Sequence, residues 1–232
     1  MTSSEPVAQR VFLDADVLAS PLTRTILLVS SRCGDGPVFV PVWSQAVESE
    51  ADKHARPGQA KVVDIRATRW GDSVIIPDAT PGVISQLADT DVKDRHVLAA
   101  AQAAGLHLIV TRNVRHFGRQ DLARLEMSVA HPDAFLAAIL TKDAYRAALE
   151  LIAETRRREP KTPEGIHAAL GREHPRLAAA MRDVFPGVEP LPGQNEPPAE
   201  VFRGVRCMAC GKRLSSPESL SQGVGPECRT AG

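Results

Sequence analysis

Short apolar runs that alternate with segments of helical period constrain the fold of this 232-residue chain more than any other feature. The runs predicted as strands lie at residues 11–14, 38–43, 73–77, 107–111 and 125–130. Apolar residues at helical spacing lie between them, at residues 23–31, 44–55 and 94–104. Because strands and helices alternate, we predict an α/β domain with a parallel sheet flanked by helices.

The pattern changes after Pro132, where the apolar spacing becomes almost purely helical. We therefore predict a first domain at residues 8–132 and a helical extension at residues 133–185. Residues 186–200 are rich in proline and lack an apolar period, which predicts a linker. Residues 201–232 are predicted to form a separate, small Cys-rich module.

Composition excludes few functions. The chain carries 28 basic and 28 acidic residues, so its formal net charge is zero and no overall basic field points to nucleic acid. A local patch would still suffice for RNA. Without a run of about 18 apolar residues, no membrane span is predicted. The first residues lack the apolar core of a signal peptide, and we expect a cytoplasmic protein.

Acidic and amide side chains follow the predicted strands or open the helices next to them. They are Asp14, Glu48, Glu50, Asp91, Asp94 and Asn113. The carboxyl ends of parallel strands meet at one edge of a sheet, so we expect several of these groups to converge there. Converging carboxylates repel each other, and Mg²⁺ relieves that repulsion while activating water for attack on a phosphate ester. Simpler roles stay open, such as helix capping by Asp94.

Three segments carry a resemblance to a known family: VFLDADVL, WSQAVESE and DTDVKDRHVLAAAQAAGLHLIVTRNVRHF. Over residues 10–138 the chain resembles the PIN-domain ribonucleases, which include the VapC-type toxins. The resemblance implies that Asp14, Glu50 and Asp94 are catalytic and bind the metal, with Glu48 the second choice for the helix acid. Asp91 is an accompanying metal-binding acid. Asn113 stands where many members have an acid and is included among the catalytic residues.

The same resemblance implies a metal-dependent endoribonuclease that uses Mg²⁺ or Mn²⁺ on RNA, with a cognate antitoxin as protein partner; a homodimer stays open. Arg95, Arg112 and Arg115 follow the acids in sequence and could hold flanking phosphates. His116 departs from the family pattern, because related members often carry Asp there. Imidazole is a poor Mg²⁺ ligand, so His116 is assigned to substrate contact or proton transfer, and Mn²⁺ becomes a candidate metal.

Two other functions stay open. Asp14 and Asp16 after the first strand also fit the start of haloacid-dehalogenase-type phosphatases, where Asp14 would be the nucleophile and Asp16 the general acid. The alternative without catalysis is a degenerate PIN module that binds RNA or a protein partner.

The C-terminal cysteines predict a second metal site. Cys207 and Cys210 form a Cys-x-x-Cys followed by Gly211, and Cys228 comes later. Thiolates at this spacing are typical of Zn²⁺ knuckles, in which the glycine permits a tight turn. A closed zinc site has four ligands. The candidates for the fourth are Cys33, Glu227, a water molecule or a second chain.

Overall fold

The computed structural model describes residues 8–34, 38–155, 161–193 and 198–229. The strands are β1 Arg10–Leu13, β2 Val40–Ser44, β3 Ile75–Ile76, β4 Leu108–Val110, β5 Ser128–Ala130 and β6 Phe202–Gly204. The helices of the first part are α1 Ala15–Ala19, α2 Pro21–Ser30, α3 Gln45–Lys53, α4 Val62–Arg69, α5 Pro81–Ile84, α6 Arg95–Ala103 and α7 Arg119–Arg124. The later helices are α8 Pro132–Ile139, α9 Lys142–Thr155, α10 Pro163–Leu170, α11 Pro175–Ala180, α12 Pro217–Gln222 and α13 Pro226–Arg229. Single 3₁₀ turns lie at Asp72–Val74, Val114–His116 and Arg182–Val184.

The six strands form one sheet in the order β3-β2-β1-β4-β5-β6. Every neighbouring pair from β3 to β5 is parallel, and β6 is antiparallel to β5. The prediction of an α/β fold with a mostly parallel sheet flanked by helices is confirmed, and the arrangement is consistent with a PIN-like fold. The five predicted strands are β1 to β5, although β3 has only two residues.

The central strands are apolar because both faces of the sheet are covered. Val11, Phe12 and Leu13 of β1 are fully buried, and so are Ile109 and Val110 of β4. A parallel strand with helices on both faces has no polar side, which explains the continuous apolar runs in the sequence. The centre of the sheet is therefore a rigid support for the side chains that follow these strands.

The region predicted as a helical extension contains α8, α9, α10 and α11, and it packs against α2. Its buried side chains belong to the same hydrophobic cluster as the sheet. The first part of the predicted linker also contacts this region, since the backbone N–H of Leu191 donates to the carbonyl of Ala168 (2.9 Å). Residues 194–197 of that linker lie outside the described residues. None of the described helices is both long and apolar enough to cross a bilayer.

The Cys-rich segment is joined to the sheet rather than held apart from it. β6 pairs with β5 in a register that sets Val129 opposite Arg203. Phe202 is buried, and the Ser128 hydroxyl accepts from the backbone N–H of Arg206 (2.8 Å). Gly204 adopts a φ of 144°, and a Cβ there would lie 2.4 Å from the Cα of Ser128. Only glycine permits this close approach of strands β5 and β6.

Candidate functional site

The acidic side chains gather where the sheet topology reverses. The chain continues from β1 to β2 on one side of the sheet and from β4 to β5 on the other, so the ends of β1 and β4 diverge. Asp14 directly follows β1, and its backbone N–H donates to the carbonyl of Val110 at the end of β4 (3.1 Å). Such a divergence leaves a crevice at the carboxyl ends of the strands, where α/β proteins bind their ligands.

Asp14 and Asp16 share the hydroxyl group of Thr111. That hydroxyl donates to Asp14 Oδ2 at 2.8 Å and lies 3.3 Å from Asp16 Oδ2. Asp14 Oδ1 also accepts from the backbone N–H of Ala15 (2.7 Å), and Asp16 Oδ2 accepts from that of Arg112 (3.0 Å). One hydroxyl carries one hydrogen atom, so it cannot fully satisfy two ionised carboxylates. A proton or a cation is needed to relieve their repulsion.

The pKa values of these two carboxyl groups reflect that conflict. Burial raises the pKa of Asp14 from 3.8 to about 6; local hydrogen bonds oppose the rise, and the charges of Asp94 and Glu50 add to it. Burial raises the pKa of Asp16 to about 8, and the charge of Asp14 adds to that rise. The two groups titrate as a pair. Without a cation, the pair therefore keeps a proton near neutral pH.

A second acidic group lies at the start of α6. Ligand atoms of Asp91, Asp94 and His116 lie within 4.8 Å of one another, and His116 Nδ1 is 3.0 Å from Asp94 Oδ2. Asp94 precedes the helix but makes no side-chain capping hydrogen bond, so capping does not account for its carboxylate. Burial raises the pKa of Asp94, whereas the hydrogen bond and charge of His116 act against that rise.

Glu48 and Glu50 face different parts of the molecule. The Glu48 side chain is only 1% exposed and accepts from Nε of Arg66 on α4 at 2.7 Å. The Glu50 side chain is 47% exposed, lies 3.7 Å from Nε2 of His96, and is close enough to Asp14 to raise its pKa. A helix turns by about 100° per residue, so positions two apart point in nearly opposite directions. Glu50 therefore faces the crevice, whereas Glu48 faces away from it and pairs with Arg66 on α4.

Two of the three predicted substrate-binding arginines already donate hydrogen bonds to oxygen atoms of the protein. Arg95 Nε donates to the carbonyl of Thr90 (2.9 Å). Arg112 donates to Glu173 on the helical extension (2.7 Å). Arg115 and Asn113 are exposed at the rim, and the backbone N–H of Asn113 donates to the Thr111 hydroxyl (3.0 Å).

The acids can be compared with the geometry of a metal site. Asp14 and Glu50 lie outside the 4.8 Å group of Asp91, Asp94 and His116, and Asp14 interacts through charge with both Asp94 and Glu50. Mg²⁺ keeps several water ligands and uses few carboxylates, so it does not need every acid in direct contact. The donor set therefore fits a hard divalent cation, with His116 the nitrogen donor that Mn²⁺ accepts more readily than Mg²⁺.

The predicted zinc ligands also come together. The Sγ atoms of Cys207, Cys210 and Cys228 lie within 4.8 Å of one another. Cys33 is not part of this cluster: its buried thiol lies at the end of α2 and donates to the carbonyl of Val29 (3.3 Å). Of the candidates for a fourth ligand, Cys33 is therefore the one that the fold separates from the other three cysteines.

Sequence reasoning left out three side chains of this region. Asp16 was weighed only for the phosphatase alternative, and Thr111 only as the end of a strand. The Asp-x-Asp spacing at the start of a helix is the signal that could have identified Asp16. Glu173 and its ion pair with Arg112 have no such signal, because 61 residues separate the partners.

Comparison with known proteins gives two matches. A family model described as "Family of unknown function (DUF6011)" matches residues 197–231, the Cys-rich segment. The chain is also 37% identical over 101 residues to "Putative ribonuclease VapC50" of Mycobacterium tuberculosis (strain ATCC 25618 / H37Rv). That alignment covers 43% of this chain and 60% of the relative, so the chain spans less than two thirds of that protein. No solved structure matches the chain significantly.

Proposed function

We propose that this chain is a metal-dependent endoribonuclease that hydrolyses RNA phosphodiester bonds and acts as the toxin of a toxin–antitoxin pair. The observation that carries the proposal is the set of mutually repelling carboxylates around the buried Asp14 at the topological reversal of the sheet. The likeness to a protein named a ribonuclease supports the same reaction. Residues 8–132 are proposed as the catalytic unit, with the extension, linker and Cys-rich module following at the predicted bounds.

Asp14, Glu50 and Asp94 are the residues we assign to holding Mg²⁺ or Mn²⁺, with Asp91 beside them. When bound, such a cation supplies an activated water and offsets charge on the phosphoryl group. Thr111 orients Asp14 by donating to its Oδ2 at 2.8 Å. A carboxylate ligand keeps its orientation when its second oxygen is hydrogen-bonded. We therefore assign His116 Nδ1 to orienting the carboxylate of Asp94.

Asp16 extends the predicted set of acids. Burial and the charge of Asp14 raise the pKa of Asp16, so it loses its proton only when the pH rises or when a cation offsets the charge of Asp14. We assign Asp16 to the group of acids around the same cation, next to Asp14. Asn113 is retained at the rim as a neutral oxygen donor.

RNA would approach this rim beside exposed side chains that can contact phosphate. Arg115 and His116 are exposed there, whereas Arg95 and Arg112 are engaged by protein oxygens. We therefore assign the first phosphate contacts to Arg115 and His116. Arg95 supports the loop before α6, and Arg112 would have to leave Glu173 to reach a phosphate. The antitoxin, a homodimer and a cytoplasmic location stay predictions.

The direct test is RNA cleavage by the purified full chain with Mg²⁺, with Mn²⁺ and with a chelator. We expect cleavage in either metal, because carboxylates bind both ions, and none in the chelator. If RNA is bound but stays intact in both metals, the degenerate binding module is favoured. If a small phosphoester is hydrolysed while RNA is not, the phosphatase is favoured.

Substitutions of Glu48 and Glu50 should have different effects, one on stability and the other on activity. Glu50→Gln is expected to lower cleavage by roughly 10- to 100-fold without lowering the melting temperature, because the side chain is half exposed. Glu48→Gln should leave the metal ligands in place but destabilise the fold by about 2 kcal/mol, since it weakens the charged hydrogen bonds between Glu48 and Arg66. Cleavage rates and thermal melts of the two variants check this. The reverse pattern would exchange their roles.

A further inference from the structure

The three C-terminal cysteines have the arrangement of metal ligands. Their Sγ atoms lie within 4.8 Å of one another, although Cys228 is 18 residues beyond Cys210. In tetrahedral coordination with Zn–S bonds of about 2.3 Å, sulfur atoms are separated by roughly 3.8 Å. The thiols are thus within a small adjustment of zinc geometry. All three are free in the structure.

The backbone around the first two cysteines forms a tight turn, of the kind that presents two thiolates to one metal ion. The N–H of Gly211 donates to the carbonyl of Cys207 (2.9 Å), and the N–H of Cys207 donates to that of Lys212 (2.8 Å). Gly211 has a φ of 72°, a value that favours glycine. The N–H of Gly225 points at Cys207 Sγ (3.5 Å). N–H donors aimed at sulfur stabilise a thiolate, which is the form that binds metal.

The charges near the cluster also suit a bound dication. Three thiolates and Zn²⁺ carry a net charge of −1, and the cation of Lys212 is close enough to interact with Cys210 and Cys228. Lys212 Nζ is held by Glu227 Oε2 (2.6 Å), beside the third cysteine. Cys210 is exposed and Cys228 is partly exposed, so solvent and ions can reach the cluster.

We propose that Cys207, Cys210 and Cys228 bind one Zn²⁺, and that this ion holds β6 against the edge of the sheet. The segment is short: within the described residues it contributes few buried apolar side chains, chiefly Phe202, Met208 and Leu214. So small a core does not by itself stabilise a fold, and small modules commonly use a metal instead. β6 covers β5, which would otherwise be an exposed edge strand.

The zinc-held strand also reaches the candidate nuclease site. Arg203 of β6 donates to the carbonyl of Phe117 (2.8 Å) and to that of Arg115 (3.2 Å), the residues on either side of His116. Glu200 fixes the Arg203 guanidinium through its Nε (3.1 Å). Arg203 is therefore a positioning residue for the loop that bears His116. This consequence rests on the proposed function, whereas the zinc site does not.

The test measures zinc in the full chain, purified under reducing conditions, by inductively coupled plasma mass spectrometry. We expect about one zinc per chain in the wild type and in the control Cys33→Ala, and a loss of most of it in Cys210→Ser and Cys228→Ser. Co²⁺ substitution should give thiolate charge-transfer absorption that the same two variants lose. No zinc after reconstitution, zinc retained in both variants, or a disulfide in its place would overturn the site.

Hydrogen exchange tests the structural role. Removing zinc with a chelator should speed exchange of the amides of β6 and its partner β5, while β1 and β2 stay protected. Unchanged protection of β6 in the zinc-free protein would overturn the claim that the ion holds this strand. Neither measurement uses RNA cleavage, so failure of the zinc site and failure of the nuclease are distinguishable.

Discussion

Asp94→Asn is expected to reduce metal-dependent RNA cleavage by roughly 100- to 1,000-fold, because it removes a charged ligand from a site that stabilises developing charge. The fold should be little affected. Asp94 makes no capping hydrogen bond that the amide would lose, and its partner His116 is exposed. Initial cleavage rates at saturating Mg²⁺ or Mn²⁺, measured beside a thermal melt, check this.

The matched control for Asp94→Asn is Asp64→Asn, at an exposed position on α4. It makes the same chemical change away from the acidic cluster and should cleave like the wild type. Full cleavage by Asp94→Asn would remove this residue from the metal site. Equal losses in both variants would point to a general effect of charge on RNA binding.

Asp14→Asn is expected to abolish cleavage and, at the same time, to stabilise the metal-free protein at pH 8. Asp14 is 4% exposed, and its pKa is raised from 3.8 to about 6 by burial and by neighbouring acids. A carboxyl group with a raised pKa contributes stability below its unfolded pKa and loses it as the pH rises through its folded pKa. The penalty in the wild type is therefore complete above about pH 6.

The size of that gain follows from the shift, which is worth about 1–3 kcal/mol. For a chain of this length, that corresponds to a rise in melting temperature of roughly 2–12 °C. Asn keeps an oxygen for the N–H of Ala15. Its amide nitrogen can donate to the Thr111 hydroxyl, which is then free to donate to Asp16 instead. Melts in chelator at pH 5 and pH 8 should show a smaller fall in the variant than in the wild type. Asp64→Asn again serves as the control.

The effect of added metal on stability is a second test of Asp14. Mg²⁺ or Mn²⁺ should stabilise the wild type more at pH 8 than at pH 5, because metal ligands must be deprotonated. Asp14→Asn should lose most of this stabilisation. A variant that is destabilised without metal at pH 8 would show that Asp14 is a structural acid and that its hydrogen bonds outweigh the repulsion.

Much of the fold could be predicted from local pattern. The five parallel strands follow from apolar runs bounded by polar residues. Ser44, a residue type favoured at helix starts, caps α3, and its hydroxyl accepts from the N–H of Val47 (3.4 Å). The short α1 was missed because its five residues, Ala15–Ala19, are too few to show a helical period. β6 was missed because its three residues carry no period of their own.

The candidate site was predictable in its residue types but not in its contacts. Both Glu48 and Glu50 lie on the helix that follows β2, and sequence alone gives no means to see that Arg66 of α4 pairs with Glu48. The ion pair between Arg112 and Glu173 depends on how the helical extension packs. The burial of Asp16 depends on β4 lying next to β1.

The sequence by itself determined where acids and thiols stand relative to strand ends, because periodicity and turn chemistry are local properties of the chain. Only the tertiary structure decided which of them meet. The order of strands placed Asp14 beside Thr111, 97 residues apart. The pairing of β6 with β5 brought Arg203 to the loop of His116. Such contacts depend on long-range packing, in which burial and charge act between residues that no sequence window contains.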